Sequence, residues 1–408
     1  MVTEEWAKHI INTRFEDLDK EFIANAKNRI IDIVGCTVGG ANAPGCSMIK
    51  ELTAEWGGKQ EATILVHGVK APSPNVACAN SIMARSFDYG VLTPYIDGKA
   101  VPAHISESTV PTAISMVESK NAGGKELITA LILGDDISAR VTAASKYAPG
   151  ITWDSPGIVN KFGTTAIACK LLGLDELQIM NAFGIIIDQL GGSSLGIEDG
   201  VHTYKLNQGL ASRDGIVAAA LAAKGWTGPM EPFQGKLGYF SLFCKDYDLE
   251  ILTRDLGEVF YADCIFKPYP CCRGLHPAIN CALDLVHKYD FKPADIDEVT
   301  LNVTAAHSNG PLMHPFSIGV FPQGKALFNL RYITASVILR RSIMLEHLTE
   351  EFIRDSEVLE FISKVNVTAS LPLEKLMDAA EIVLKMKDGK ELSASVEAAK
   401  GHPFKNPM

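Results

Sequence analysis

Long apolar segments are missing from this sequence. The longest candidates, Gly215–Ala223 and Ala182–Ile187, fall well short of the roughly 20 residues that a membrane-spanning helix needs. The first residues, Met1-Val-Thr-Glu-Glu, are acidic and carry no apolar core of a secretion signal. We therefore expect no membrane partner and a cytoplasmic location.

Cysteine is sparse, and positive charge is outweighed by negative charge. The nine cysteines are odd in number and scattered, and several lie in apolar surroundings, which indicates reduced, buried thiols rather than a disulfide framework. The 38 Lys and Arg residues face 48 Asp and Glu residues, a net charge of −10. Because nucleic-acid binding needs a clustered cationic face, we expect no nucleic-acid partner. A small acidic substrate stays compatible with this charge, since a pocket can be locally basic.

Nucleotide and metal motifs are also absent. No Gly-x-Gly-x-x-Gly segment follows a predicted strand, and no Walker-type loop or Gly-x-Ser-x-Gly elbow occurs. Cys271, Cys272 and His276 make a weak zinc set, because adjacent cysteines point in different directions and no second Cys/His pair has ligand spacing. The sequence thus predicts neither a cofactor nor a metal.

The composition of the 408 residues, 47% hydrophobic and 21% charged, is that of a globular protein with room for two or three domains. A helical period dominates as far as about Phe260. It predicts helices over Phe22–Gly39, Asn75–Phe87, Thr109–Glu118, Gly124–Tyr147, Lys161–Leu172, Asp175–Ile187 and Asn207–Lys224. We see no strand-like alternation of any length in this region.

The pattern changes after Cys264. Alternating residues predict a strand over Glu298–Ala305, and Asp388-Gly389 predicts a two-residue hairpin turn. The hairpin strands and the helices between are predicted at Glu381–Met386, Glu391–Val396, Leu330–Arg341, Leu345–Arg354 and Glu357–Lys364. We therefore expect a mainly α protein, with an all-helical domain over 1–264, rejoined by 398–408, and an α+β domain over 265–397.

The segment Lys267-Pro-Tyr-Pro-Cys-Cys-Arg-Gly-Leu-His276 brings many reactive groups to the predicted domain junction. Clefts between domains are preferred ligand sites. Lys267, Tyr269 and Arg273 suit carboxylate recognition, and His276 suits proton transfer near neutral pH. An ordinary rigid linker with solvated side chains explains the segment equally well.

Two further segments carry candidate groups. Arg85-Ser-Phe-Asp88 and Pro102-Ala-His104 flank a loop rich in Gly, Pro and aromatics, and Lys205 precedes a helix rich in small residues. Read separately, Asp88 and His104 are better explained as neighbours of helix ends, and Lys205 is better explained as a surface lysine.

Together these segments resemble the MmgE/PrpD family. The similar stretches, in the family's order, are Arg85-Ser-Phe-Asp88 with Pro-Ala-His104, Tyr204-Lys-Leu-Asn-Gln-Gly-Leu-Ala-Ser-Arg-Asp-Gly, and Lys267-Pro-Tyr-Pro-Cys-Cys-Arg-Gly-Leu-His276. The family includes 2-methylcitrate dehydratase, cis-aconitate decarboxylase and iminodisuccinate epimerase. The resemblance covers essentially the whole chain.

The resemblance implies a large helical domain, a smaller α+β lid, a homodimer and a cofactor-free site between the domains. Carried over by position, Asp88, His104, Lys205, Lys267 and His276 would line that site. Lysines and Arg273 would hold substrate carboxylates and stabilise developing enediolate charge. A histidine, alone or paired with Asp88, would act as the base.

Two departures from the family pattern bear on the substrate. Where many members have Gly-aromatic-His, this chain has Ile151-Thr-Trp153-Asp154, so a carboxylate replaces an imidazole and repels a polyanionic substrate. The chain also stops at Met408, where relatives usually continue with more helix.

The sequence therefore predicts a cofactor-independent lyase, dehydratase-like or decarboxylase-like, acting on a small di- or tricarboxylate by proton abstraction next to a carboxylate. One alternative is an epimerase of a small dicarboxylate, with His104 and His276 acting on opposite faces of one carbon. Another is a non-catalytic carboxylate-binding homologue in which Asp154 marks lost chemistry.

Overall fold

Helices make up most of the structure, which confirms a mainly α fold. The computed structural model describes residues 1–146, 153–308, 310–375 and 378–408. They form two units. The helical unit comprises Met1–Ser86, Gly90–Ser193 and Lys205–Ile265, and the sheet unit comprises Phe87–Tyr89, Ser194–Tyr204 and Phe266–Met408.

The predicted helices of the first two thirds of the chain lie close to their expected positions. Four described helices were not predicted, at Val2–Asn12, Cys46–Trp56, Leu195–Asp199 and Tyr239–Phe243. All helices of this part of the chain but α9, which belongs to the sheet unit, lie in the helical unit. They are α1 (Val2–Asn12), α2 (Lys20–Gly40), α3 (Cys46–Trp56), α4 (Ser73–Arg85), α5 (Ser106–Lys120), α6 (Gly124–Ala144), α7 (Val159–Leu172), α8 (Glu176–Ile187), α9 (Leu195–Asp199), α10 (Leu206–Ala223) and α11 (Tyr239–Phe243). Tyr147, the expected end of α6, lies outside the described residues.

The expectation of a helical domain without strands is wrong in detail. Two small antiparallel hairpins occur in the helical unit, formed by β1 (Ala62–Ile64) with β2 (Val69–Ala71) and by β3 (Tyr95–Ile96) with β4 (Lys99–Ala100). Strands of two or three residues are too short for their alternation to show in the sequence.

Small residues let the central helices of the helical unit approach closely. A Cβ atom on Gly163 of α7 would lie 2.1 Å from the Ser138 hydroxyl of α6 and 2.3 Å from the Gly134 carbonyl. A Cβ on Gly215 of α10 would lie 2.2 Å from the Thr164 hydroxyl of α7. The Gly- and Ala-rich composition of these helices is therefore a packing requirement.

Aromatic rings fill the core beside these helices. The indole of Trp6 meets the rings of Phe183 and Phe233 edge-on at 5.2 and 4.9 Å between centroids, and its Nε1 donates to the Leu252 carbonyl at 2.8 Å. This buried anchor stabilises α1, in which Val2, Trp6 and Ile10 recur every four residues, a helical period that our sequence analysis overlooked.

The sheet unit contains a four-stranded mixed sheet. Its strands are β5 (Ile296–Thr304), β6 (Val365–Leu371), β7 (Ala380–Met386) and β8 (Glu391–Val396), in the spatial order β6-β5-β7-β8. Strand β6 pairs parallel to β5, and the other pairs are antiparallel. The predicted hairpin β7–β8 is present, but its loop is one residue longer than expected, because Met386 N donates to Lys390 O and leaves Lys387-Asp-Gly389 as the turn.

The remaining helices belong to the sheet unit. They are α12 (His276–Lys288), α13 (Pro322–Ala326), α14 (Leu330–Arg340), α15 (Glu350–Ile353) and α16 (Ser356–Ile362). Sequence analysis missed α12, because Lys267–His276 looks like an extended proline-rich segment. Pro277 is nevertheless tolerated there, since the first turn of a helix needs no backbone N–H bond. Helix α12 packs on β7, β8 and α14.

The last residues of the chain differ from expectation. Residues 398–408 belong to the sheet unit rather than to the helical one. Arg273 donates to the carbonyls of Ala399 and Lys400, each at 3.2 Å, and Lys400 N donates to the Asn280 side chain at 2.9 Å. Among the described residues, no helix is both long and apolar enough to cross a membrane.

Substituting the helix-contact glycine Gly163 with alanine should destabilise the protein. The added methyl overlaps Ser138 and the backbone of α6, and such overpacking costs about 1–3 kcal/mol. Gly35→Ala is the matched control, because nothing lies within 4 Å of the new Cβ on α2. It should raise the free energy of unfolding by about 0.5–1 kcal/mol. Urea unfolding of both variants tests this, and equal shifts of the same sign would contradict it.

Candidate active site

The side chains of Arg85 and His104 are in contact inside the helical unit. Arg85 is the last residue of α4 and is 3% exposed. Its Nη1 lies 3.0 Å from His104 Nδ1 and 3.2 Å from Glu107 Oε2. Glu107, in the first turn of α5, is fully buried. The guanidinium therefore contacts an imidazole and a carboxylate at once.

The backbone of His104 is clamped from several sides. Its carbonyl accepts from Asn160 Nδ2 of α7 at 2.7 Å and from Gln208 Nε2 of α10 at 3.1 Å. Just after it, Asp263 Oδ2 accepts from the N–H groups of Ile105 and Ser106 at 2.8 Å each. The position of the imidazole is thus fixed by helices distant in sequence.

Lys205 is buried rather than on the surface. It directly precedes α10 and is 2% exposed. Its Nζ donates to the Pro44 carbonyl at 2.6 Å and to the Ser86 hydroxyl at 3.1 Å, and lies 3.7 Å from Cys46 Sγ. Burial lowers the pKa of this ammonium from its usual value. Within the described ranges, no carboxylate forms an ion pair with it.

Asp154 is held by hydrogen bonds within the helical unit. Its Oδ2 accepts from Asn207 Nδ2 at 2.7 Å, its N–H donates to Gly192 O at 3.1 Å, and its carbonyl accepts from Gly157 N at 3.1 Å. The carboxylate thus links the short turn that precedes α7 to Asn207 of α10. Ile151 and Thr152, which precede it in the departure from the family pattern, lie outside the described residues.

Asp88 and Lys267 form a buried ion pair inside the sheet unit. Lys267 Nζ lies 3.2 Å from Asp88 Oδ1 and also donates to the Asp88 carbonyl, and both side chains are at most 1% exposed. The next residues repeat the connection, since the Tyr89 hydroxyl donates to the Pro268 carbonyl at 3.3 Å. The interpretation of Lys267 as a solvated linker residue is therefore wrong.

His276 is completely enclosed at the start of α12. Its Nε2 lies 3.3 Å from the Cys271 carbonyl, and its Nδ1 has no hydrogen-bond partner among the residues described. Burial, together with the charges of Arg273 and Lys267, holds the pKa of the imidazole well below its usual value. Any proton chemistry at His276 would therefore start from the neutral ring.

The other two candidates of this segment also have partners. The Tyr269 ring meets the His276 ring edge-on at 5.2 Å, and its hydroxyl accepts from Asn280 Nδ2 at 2.9 Å. Burial raises the pKa of this phenol. Besides its bonds to Ala399 and Lys400, Arg273 lies 3.5 Å from Asp378. Its expected contact with a substrate carboxylate stays a prediction.

Sequence analysis missed several members of the helical unit's cluster. Glu107 and Asn160 contact the predicted residues but belong to no motif that we recognised, whereas Asn207 and Gln208 lie in the recognised stretch that begins at Tyr204 but were given no role. For Glu107 a signal existed, because it follows His104 by three residues, the spacing that brings side chains together on a helix. For Asn207 and Gln208 the signal was their place just after Lys205, and for Asn160 we find no local signal.

The fold and these clusters belong to a known class of protein. Residues 4–252 match the MmgE/PrpD N-terminal domain, and residues 269–408 match the MmgE/PrpD C-terminal domain. The chain therefore belongs to the MmgE/PrpD family, which confirms the resemblance seen in the sequence.

The similar curated proteins are cis-aconitate decarboxylases. Human cis-aconitate decarboxylase is 23% identical, over all of this chain and 85% of that protein. The Aspergillus terreus cis-aconitate decarboxylase is 22% identical, over all of this chain and 86% of that protein. The cis-aconitate decarboxylase-like protein oryM of Aspergillus oryzae is 22% identical, over 98% of this chain and 86% of that protein.

Replacing Lys267 should destabilise the protein more than replacing Lys205. Lys267→Met breaks the buried ion pair with Asp88, and removing one partner of such a pair costs about 3–5 kcal/mol. Lys205→Met removes a buried cation that has no described carboxylate partner, so the free energy of unfolding should stay level or rise. Denaturant unfolding measures both. Adding Asp88→Asn to Lys267→Met should recover part of the loss, and equal stability of the two single variants would contradict the argument.

Proposed function

We propose that the protein is a cofactor-independent lyase acting on a small di- or tricarboxylate. The reaction would remove carbon dioxide or water by proton transfer at a carbon next to a carboxylate. Family membership supports a decarboxylase- or dehydratase-like lyase, and the similar proteins act, by their names, on cis-aconitate.

One observation carries the proposal: in the described part of the chain, the buried ammonium of Lys205 pairs with no carboxylate. Removing a cation from water is costly unless an anion compensates it. The other buried cations of the helical unit have such an anion; Arg29 pairs with Asp135 at 2.9 Å and Lys161 with Asp214 at 2.8 Å. A substrate carboxylate would supply the missing charge at Lys205, through a charge-assisted hydrogen bond.

His104 supplies the acid–base group of the same unit. Loss of carbon dioxide leaves an electron pair on carbon that must be protonated, and loss of water begins by removing a proton. An imidazole with a clamped backbone and a fixed guanidinium neighbour can serve either step, because proton transfer requires a precisely placed group. The participation of Asp88, Lys267, Tyr269, Arg273 and His276 stays a prediction from the sequence.

Asp154 bears on which polyanion is accepted. A carboxylate repels a highly charged substrate, but here Asn207 already donates to Oδ2, so part of its charge is satisfied within the protein. We therefore propose cis-aconitate as the first substrate to test and small dicarboxylates as the comparison.

Turnover should be detectable with purified protein and should depend on Lys205. Release of carbon dioxide from cis-aconitate, and solvent-deuterium incorporation into a panel of citrates and dicarboxylates, separate the outcomes. Lys205→Met should raise KM or lower kcat/KM about tenfold to a hundredfold, the contribution of one charge-assisted contact. Lys27→Met, on the exposed side of α2, is the matched control and should behave as wild type.

The pH dependence gives a second readout of Lys205. Because burial lowers the pKa of this amine, its charge is lost at a lower pH than that of an exposed lysine, and KM should rise through that range.

Activity should survive dialysis against EDTA. Deuterium exchange without net product would indicate an epimerase instead, and binding without exchange would indicate a non-catalytic homologue.

We also propose that the protein is a homodimer. The outer faces of α2 and α3 expose several large apolar side chains, which a second copy would cover. They are Ile31, Val38, Met48, Leu52 and Trp56.

Light scattering should report about twice the 44.1 kDa of one chain. Trp56→Glu should shift the mass toward one chain, whereas Val320→Glu, in an exposed position of the sheet unit, should not; a wild-type monomer would contradict the proposal.

A further inference from the structure

We propose that Arg85 is a positioning residue that fixes the tautomer of His104, so that the neutral ring carries its proton on Nε2. Glu107 in turn anchors Arg85. This inference rests on the proposed function for its kinetic consequence, but its structural content can be measured without any substrate.

The direction of the hydrogen bonds carries the argument. A guanidinium has five N–H donors and no acceptor. At 3.0 Å from Arg85 Nη1, His104 Nδ1 must therefore accept, and a neutral imidazole that accepts at one nitrogen is protonated at the other. The alternative partner of Nδ1, Glu107 Oε2, lies 3.6 Å away, beyond a good hydrogen bond.

The surrounding groups make this arrangement rigid. The second hydrogen on Arg85 Nη1 points to Glu107 Oε2 at 3.2 Å, and the same oxygen accepts from Gln208 Nε2 at 3.1 Å. Gln208 also holds the His104 carbonyl. One amide of α10 therefore connects the anchor of Arg85 with the backbone of His104, so neither group can shift alone.

The tautomer determines whether Nε2 of His104 first acts as a hydrogen-bond donor or as a base. With its proton on Nε2, the ring cannot accept a proton at that nitrogen and instead presents a hydrogen-bond donor. A neutral imidazole donor stabilises negative charge that develops on a substrate oxygen, as in an enediolate. This alters the expectation from the sequence that a histidine at this position starts the reaction as the base.

A purely structural role for Arg85 makes a different prediction. If Arg85 serves only to neutralise the buried Glu107, the tautomer of His104 does not depend on Arg85. Replacing both residues with side chains of similar size that lack hydrogen-bond donors would then leave the tautomer unchanged. The double substitution Arg85→Met with Glu107→Met removes both charges together, introduces no new donor beside His104 Nδ1 and so avoids an unpaired buried carboxylate. It separates the two roles in a protein that retains its charge balance.

Long-range proton–nitrogen NMR on the full-length protein, with labelled histidine and a His104→Gln variant for assignment, reads the tautomer directly. The wild-type neutral ring should show the proton on Nε2. The double variant should lose that preference, whereas Arg85→Lys, which keeps a donor, should retain it at least in part. Arg29→Lys, at the buried pair with Asp135 in the same unit, is the matched control and should leave the signal of His104 unchanged.

Kinetics provides the second readout. The double variant should lower kcat by about 10²- to 10⁴-fold, the contribution of a positioned acid–base group, with KM changed far less. A wild-type ring protonated on Nδ1, or a double variant that keeps the wild-type tautomer, would overturn the inference. Absence of turnover in the wild type, with the Nε2 tautomer present, would instead count against the proposed function and leave the positioning role in place.

Discussion

Compensation of buried charge is the constraint on which the helical unit depends. Several cations and anions lie in its interior, where an unpaired charge costs far more than on the surface. Different helices are joined by Arg29 with Asp135, by Arg85 with Glu107 and by Lys161 with Asp214, whereas Arg140 pairs with Asp136 one turn away on α6. The buried ammonium of Lys205 differs from these groups, because it has no carboxylate partner within the described ranges, and the carboxylate of a ligand would supply one.

Close helix packing is what makes such a buried polar network possible. Gly163 and Gly215 let α7 lie against α6 and α10 at distances that a methyl group would prevent. Asn160 of α7 and Gln208 of α10 can then reach the same carbonyl of His104. The small residues that look like simple packing in the sequence therefore also set the geometry of the acid–base group.

Local patterns predicted much of the secondary structure but little of the site's connectivity. The predicted helix that starts at Asp175 is present as α8, and Asp175 and Gln178 form the two hydrogen bonds of a capping box at its start, at 2.9 and 3.1 Å. Local signals of this kind act within one turn and so survive in the sequence. By contrast, β6 pairs with β5 across more than sixty residues, and no short window contains that information.

The sequence by itself determined the family, the mainly α fold and the chemical types of the candidate residues, because motif order and helical periodicity are properties of the chain. Only the tertiary structure decided what each of those residues contacts. Among the residues that the structure describes, Lys205 is buried without a carboxylate partner, Lys267 pairs with Asp88, and Arg85 donates to His104. The reason is physical: the cost of burying a charge and the direction of a hydrogen bond depend on neighbours that folding brings together from distant parts of the chain.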